Sequence, residues 1–357
     1  MGKTINLAEK YSSQVQERFY HDSVTQGAFS KALDTEFTGV KTVKVYDVAT
    51  SQLNDYTRSG SNRYGTPKEL TDNIYEFVMN MDKGFTYTID KGNQKEQFNI
   101  KQAATTLRRQ MREVVTPYID IYRLKKWAQG AGIAKAMSAA PAKATIGGMI
   151  FDAQAAMNNK FVPKTGRTLY LKESLLPTLA LSTEYIALDS TGSKALENGV
   201  VGKYAGLPIK TIPDSWMPDN VYFILMHKGS SISPVKLQDY KIHSDPPGIS
   251  GDLVEGRVIF DAFVIPTKAD GIYIATASGK VCETPTISIA SNTATLASGT
   301  SSATIKYTTD GSDPRFSTTA QTYSADSKPT LAAGEEIRAA AVATGMYNSD
   351  VASKTNS

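Results

Sequence analysis

The chain has 357 residues, 41% of them hydrophobic and 21% charged, with a formal net charge of +4. This composition excludes collagen-like, low-complexity and strongly charged disordered polymers, and describes a folded protein of two or three domains. No run approaches the roughly 20 apolar residues of a membrane-spanning helix, and the single cysteine, Cys282, excludes an internal disulfide and suits a cytosolic folding environment.

The N-terminal stretch MGKTINLAEKYSSQVQERFYHD is charged throughout, with no apolar signal-peptide core, and Asn6 breaks the pattern for lipidation at Gly2. Leu7, Tyr11, Val15 and Phe19 recur every four residues, which predicts a short helix on an arm of about 40 residues. Such an arm has little core of its own and gains order by packing against something else.

Next come two β-rich stretches, TVKVYDV (42–48) and IYEFVMNMDKGFTYTID (74–90). Phe85 to Asp90 alternates apolar and polar residues, as a strand with one wet face requires. Asp82-Lys83-Gly84 reads as the turn, with Gly84 able to adopt φ > 0. Between the stretches, NDYTRSGSNRYGTPKEL (54–70) is rich in turn formers and charge, and predicts an exposed excursion.

Residues 99–129 predict one helix that would span about 46 Å. Asn99 and Gln102 form a variant capping box, and Gly130 and Gly132 end the helix. Leu107, Met111, Val114, Val115, Tyr118 and Tyr122 make an apolar stripe, while Arg108, Arg109, Arg112, Arg123, Lys125 and Lys126 lie at other positions. Pro117 removes one backbone hydrogen bond, so a bend is expected near residues 113–116. The basic residues fit either a solvated helix face with local ion pairs or a salt-sensitive contact with phosphate.

From 145 to 245 the pattern is mixed α and β: 147–161 reads as a helix, 167–173 as a strand, 203–213 as two strands about a glycine turn, and 221–228 as a buried strand. Residues 256–277 read as long strands broken near Lys268 to Gly271. After Cys282, Ser, Thr and Ala dominate, and turns recur every 8 to 12 residues, which predicts a small β-sandwich. From Glu283 on there are seven acidic and five basic residues, net −2; residues 1–282 carry 34 basic and 28 acidic, net +6. A mildly basic body points weakly to a polyanionic neighbour.

Motifs for chemistry are lacking. Gly130-Ala131-Gly132 follows a helix instead of a strand, His21, His227 and His243 are far apart, and no nucleophile elbow or paired-carboxylate pattern occurs. No catalytic, cofactor or metal residue is assigned, and an enzyme is not expected. In YTTDGSDP (307–314), Asp310 and Asp313 fit Asx turns better than a calcium site.

The order of parts resembles the major capsid proteins of tailed bacteriophages of the Hong Kong 97 type. Residues 1–42 resemble the arm, 43–98 the extended E-loop, 99–144 the spine helix and its surroundings, 145–250 the axial α/β domain, and 251–281 the strands returning to the peripheral domain. YAGLPIKTIP, VYFILMHKG and VEGRVIFDAFVIPTKADGIYIA carry the later part of that resemblance. YTTDGSDP and IRAAAVATGMYNSD make 283–357 similar to bacterial immunoglobulin-like and chitobiase C-terminal modules.

That resemblance implies an α+β fold with an all-β C-terminal sandwich. It also implies a homo-oligomer of hexamers and pentamers in an icosahedral shell around double-stranded DNA, assembled in the bacterial cytoplasm and residing in the virion. A separate scaffolding protein, a portal and decoration proteins would be partners; cofactors and membranes would not. Arg108, Arg109 and Arg112 would face DNA without sequence preference, Pro117 would act as a hinge, and Arg58, Arg63, Lys68 and Glu69 would make E-loop contacts between subunits. Two rival readings remain at this level: a tail-tube protein with an immunoglobulin-like domain, and a carbohydrate-binding enzyme or adhesin.

Overall fold

The computed structural model describes residues 23–29, 37–38, 42–48, 53, 55–65, 69, 72–91, 103–182 and 200–356. The arm helix, the Asn99–Gln102 cap and Lys68 lie outside the described residues.

A six-stranded mixed sheet forms the centre. Its strands are β5 (Ile133–Ala136), β6 (Arg167–Lys172), β7 (Val200–Tyr204), β8 (Leu207–Ile212), β9 (Val221–His227) and β14 (Ile272–Thr276), in the order β5-β14-β9-β6-β8-β7. β9 is buried on both faces, as its unbroken apolar run requires. Phe223 and Leu225 join Leu169, Leu171, Ile209 and Tyr273 in a core on one face, where helix α3 (Ile146–Asn159) and the short α4 (Leu176–Ala180) contribute Ile146, Ile150, Met157 and Leu179. Ile224 and Met226 point the other way and pack with Tyr170, Ile212, Ile272 and Ile274 against Leu124 and Trp127 of helix α2 (Thr116–Gln129).

A second, three-stranded sheet has the order β11-β12-β4, from β4 (Met81–Asp90), β11 (Val235–Ser244) and β12 (Gly251–Phe260). Its β4–β12 ladder pairs Asp90 with Gly251 and Met81 with Phe260, an unbroken antiparallel register. The expected turn at Asp82-Lys83-Gly84 is therefore overturned. Gly84 sits inside β4 opposite Arg257, where an added Cβ would lie 3.3 Å from the Gly256 carbonyl, and its φ is not positive. Tertiary pairing overrode a local turn signal. The chain instead crosses between sheets at Met79 and Asn80, whose backbone N–H donates to Asp261 Oδ2 at 2.9 Å. Strands β2 (Thr42–Val48) and β3 (Asp72–Val78) pair antiparallel with Val43 opposite Phe77, and Val43 and Val45 are buried with Met79, Ile232, Ile259 and Ile265.

The long helix is interrupted. Helix α1 (Ala103–Gln110) passes into a π-helical turn at Met111–Val115 before α2 begins at Thr116. The Thr116 N–H donates to Met111 O, an i→i−5 bond, one residue before Pro117. Beyond Cys282, a two-stranded and a four-stranded antiparallel sheet close over Ala294, Leu296, Ile305, Tyr307, Leu331 and Ile337, the expected small sandwich.

Candidate assembly surface

The N-terminal segment is tied to α2 by one buried carboxylate. Asp120, fully buried, accepts from Ser23 Oγ at 2.9 Å, from the Val24 N–H at 2.8 Å and from Thr25 Oγ1. Arg123 lies 3.7 Å from Asp120 and donates to Ser233 Oγ at 2.7 Å and to Thr25 Oγ1 at 3.1 Å. Burial holds the Arg123 guanidinium below its ordinary pKa, an effect that Asp120 opposes. Arg123, read from the sequence as one of the residues off the apolar stripe, is thus an interior residue. Sequence spacing alone could not find it, because its hydrogen-bond acceptors Thr25 and Ser233 lie 98 and 110 positions away.

The apolar stripe is only partly covered. Val114 and Tyr118 stay about half exposed (51% and 44%) and, with Phe85, Ile119, Val258 and Phe260, line a groove of about 210 Å³ between α2 and the β4–β12 ladder. Of the three candidate DNA-facing residues, Arg108 and Arg112 are exposed, while Arg109 Nε donates to Glu113 Oε1 at 3.1 Å, an i,i+4 pair. The structure brings these three onto one stretch of helix and turn. Pro117 occupies the first turn of α2.

Of the described residues of the excursion, 53, 55–65 and 69, all but Gly65 are exposed. Arg58, Arg63 and Glu69 are exposed, and the loop is organised by its own bonds: Thr57 N–H to Arg63 O at 3.0 Å, Arg63 Nε to Gly60 O at 3.3 Å, and Tyr56 edge-on to Tyr64 at 5.0 Å. Both rings of this pair are largely open to solvent, Tyr56 53% and Tyr64 82% exposed.

The C-terminal sandwich is locked onto the body, which the sequence did not reveal. Arg315, with a side chain 3% exposed, donates through Nη1 to Gly132 O at 2.6 Å and is held by Asp313 at 2.7 Å. The Gly132 site admits no side chain, since a Cβ there would lie 2.3 Å from backbone atoms of Ala269 and Asp270. Tyr347 donates to Asp219 O at 2.9 Å and packs with Phe316 against the core beneath α2. Asp310 Oδ1 accepts from the Ser312 N–H at 3.0 Å, and Asp313 Oδ1 from the Arg315 N–H at 2.9 Å; these are Asx turns. Among the described residues no group of three or more His, Cys, Asp or Glu is placed to hold a metal ion, and no helix is long and apolar enough to cross a membrane.

Comparison with solved structures places this fold. A chain of Mycobacterium phage Che8 superposes with a TM-score of 0.61 at 14% identity, covering 75% of this chain and 96% of that one. The capsid structure of cyanophage P-SCSP1u gives 0.60 at 15% identity, covering 76% and 93%. The mature capsid of bacteriophage PhiM1 gives 0.58 at 10% identity, covering 76% and 92%. The chain therefore has a mixed α+β fold shared with phage capsid proteins. Residues 294–356 match the family described as Fn3 associated, in accord with an immunoglobulin-like C-terminal module. No curated protein matches the sequence.

Proposed function

We propose that this chain is the major capsid protein of a tailed bacteriophage, with the Hong Kong 97 type of subunit, assembling as hexamers and pentamers into an icosahedral shell around double-stranded DNA. The observation that carries the reading is the near-complete coverage of the solved phage capsid chains, 92–93% for the two described as capsids, by a fold with an interrupted long helix and a paired β2–β3 ribbon. The same likeness favours a shell protein over a tail-tube or carbohydrate-binding protein. In this reading 1–42 is the arm, 43–98 the E-loop, 99–144 the spine region, 145–250 the axial domain, 251–281 the returning strands and 283–357 an outward-facing module.

Arg58, Arg63, Lys68 and Glu69 make contacts between subunits, Arg108, Arg109 and Arg112 lie toward packaged DNA, and the helix hinges near Pro117. A scaffolding protein, a portal and decoration proteins complete the particle, which assembles in the host cytoplasm. The test is expression of the full chain with and without a co-expressed scaffold, followed by negative-stain electron microscopy. Closed shells or hexameric sheets are expected; long tubes or a persistent monomer would overturn the reading.

A further inference from the structure

Phe161 combines a left-handed backbone with an apolar side chain left in solvent. It follows α3 in a left-handed conformation, φ +56°, the helix-ending position that normally takes glycine or asparagine. Most other non-glycine residues with positive φ here are short and polar: Asn62, Asn220, Asp245, Ser291 and Asn292. Phe161 has no such local bonding to offer, and its side chain is given to water, with the residue 93% exposed. One exposed apolar residue is ordinary; an exposed aromatic held in strained backbone is not.

The loop that presents it is rigidly braced. The Phe161 N–H donates to Asn158 O at 2.9 Å and the Val162 N–H to Met157 O at 3.1 Å. Arg167, buried at the start of β6, donates to Val162 O at 2.6 Å, to Asn158 Oδ1 at 2.8 Å and to Pro163 O at 2.9 Å. Around it lies a cationic rim. Lys160 and Lys164 flank Phe161 on the same loop, the Lys228 side chain lies over Gly166, and the charges of Lys228 and Lys268 both reach His227 at this end of the central sheet. Lys160 reaches Asp270 at 3.8 Å; the other three lysines are exposed and have no ion pair among the described residues.

We propose that this end of the central sheet is a contact surface for a second copy of the chain, with the Phe161 ring as its apolar anchor and the lysines as its rim. A rigid aromatic centre inside a charged rim is how protein interfaces concentrate their binding energy. The chain supplies the complementary charge itself, since the sandwich from Glu283 onward carries a net −2 against +6 for the body. A lysine-rimmed end meeting the net-acidic sandwich of the next copy is a head-to-tail contact, the kind that closes rings. The inference rests on the shell-forming reading and adds a named contact to it.

The test is Phe161→Asn in the full chain. Asparagine tolerates the left-handed backbone and removes only the ring. Its monomer should melt at the same temperature as the parent or higher, while self-association, followed by sedimentation velocity and light scattering with the scaffold present, should weaken at least about tenfold. A variant that associates as well as the parent, or a monomer that melts several degrees lower, overturns the proposal. Lys228→Glu with Lys268→Glu should weaken association at low salt and much less at high salt; a deficit independent of salt overturns the lysine rim. A parent chain that never assembles sinks this contact and the shell reading together, whereas a parent and variant that assemble alike sink this contact alone.

Discussion

Asp120 and Arg123 stand three residues apart on α2, so from spacing alone they read as one more surface ion pair. The structure buries them because Ser23, Val24 and Thr25 fold back over the helix and spend their donors on the carboxylate. Asp120→Ala would leave the Arg123 guanidinium buried and uncompensated, a loss of about 3–5 kcal/mol. Urea unfolding should show a lower midpoint at an unchanged slope; an unchanged midpoint would mean that the segment does not depend on the carboxylate. Asp350 has the opposite character. Burial raises its carboxyl above the ordinary 3.8, against the pull of Lys135, Arg315 and Lys160. A carboxyl raised on folding contributes stability below its unfolded value that is lost as pH climbs through the folded one. Asp350→Asn is therefore expected to raise the melting temperature near pH 7, with the gain fading toward about pH 4. A variant less stable than its parent at neutral pH would show that the ionised group is a needed partner of the cations around it.

Among the elements, the spine shows what sequence can and cannot carry. Pro117 marks the place where the α-helical ladder must fail, because it leaves the Glu113 carbonyl without its usual donor. The sequence could not say how the chain absorbs the loss, which is a π-turn over Met111–Val115 that shifts the Thr116 bond to Met111. If the proline imposes that turn, Pro117→Ala should let the ladder close, slowing hydrogen exchange of the amides at 111–116 by about tenfold. Exchange as fast as in the parent would assign the turn to packing of Val115 and Ile119 against the sheet. The strands tell the same story from the other side. β9 was legible because a run apolar on both faces can only be central. Gly84 misled because Asp-Lys-Gly is a sound local turn, and nothing within ten residues announces that Gly256 and Arg257 will lie alongside it.

For the molecule as a whole, the sequence reads as an α+β body followed by a Ser/Thr-rich sandwich, but the joint between them was invisible. Arg315 lies in a loop of the sandwich and finds its acceptor on Gly132, at the start of β5. Its removal should therefore release one body from the other without unfolding either. Arg315→Ala is expected to split a single calorimetric transition into two and to expose the 277–283 connection to protease; one transition at the parent temperature would place the coupling in Tyr347 and Phe316. The β4–β12 ladder has a consequence of another sort. Its partners are separated by more than 160 residues of sequence, so on the ribosome β4 waits until β12 has emerged. At about 5–20 residues per second that wait is roughly ten to thirty seconds. Throughout it, Phe85, Tyr87 and Ile89 have no strand to pair with, at the high local concentration of a polysome making many copies. The late closing of this one ladder makes nascent-chain protection a requirement of production, whatever the finished subunit's stability.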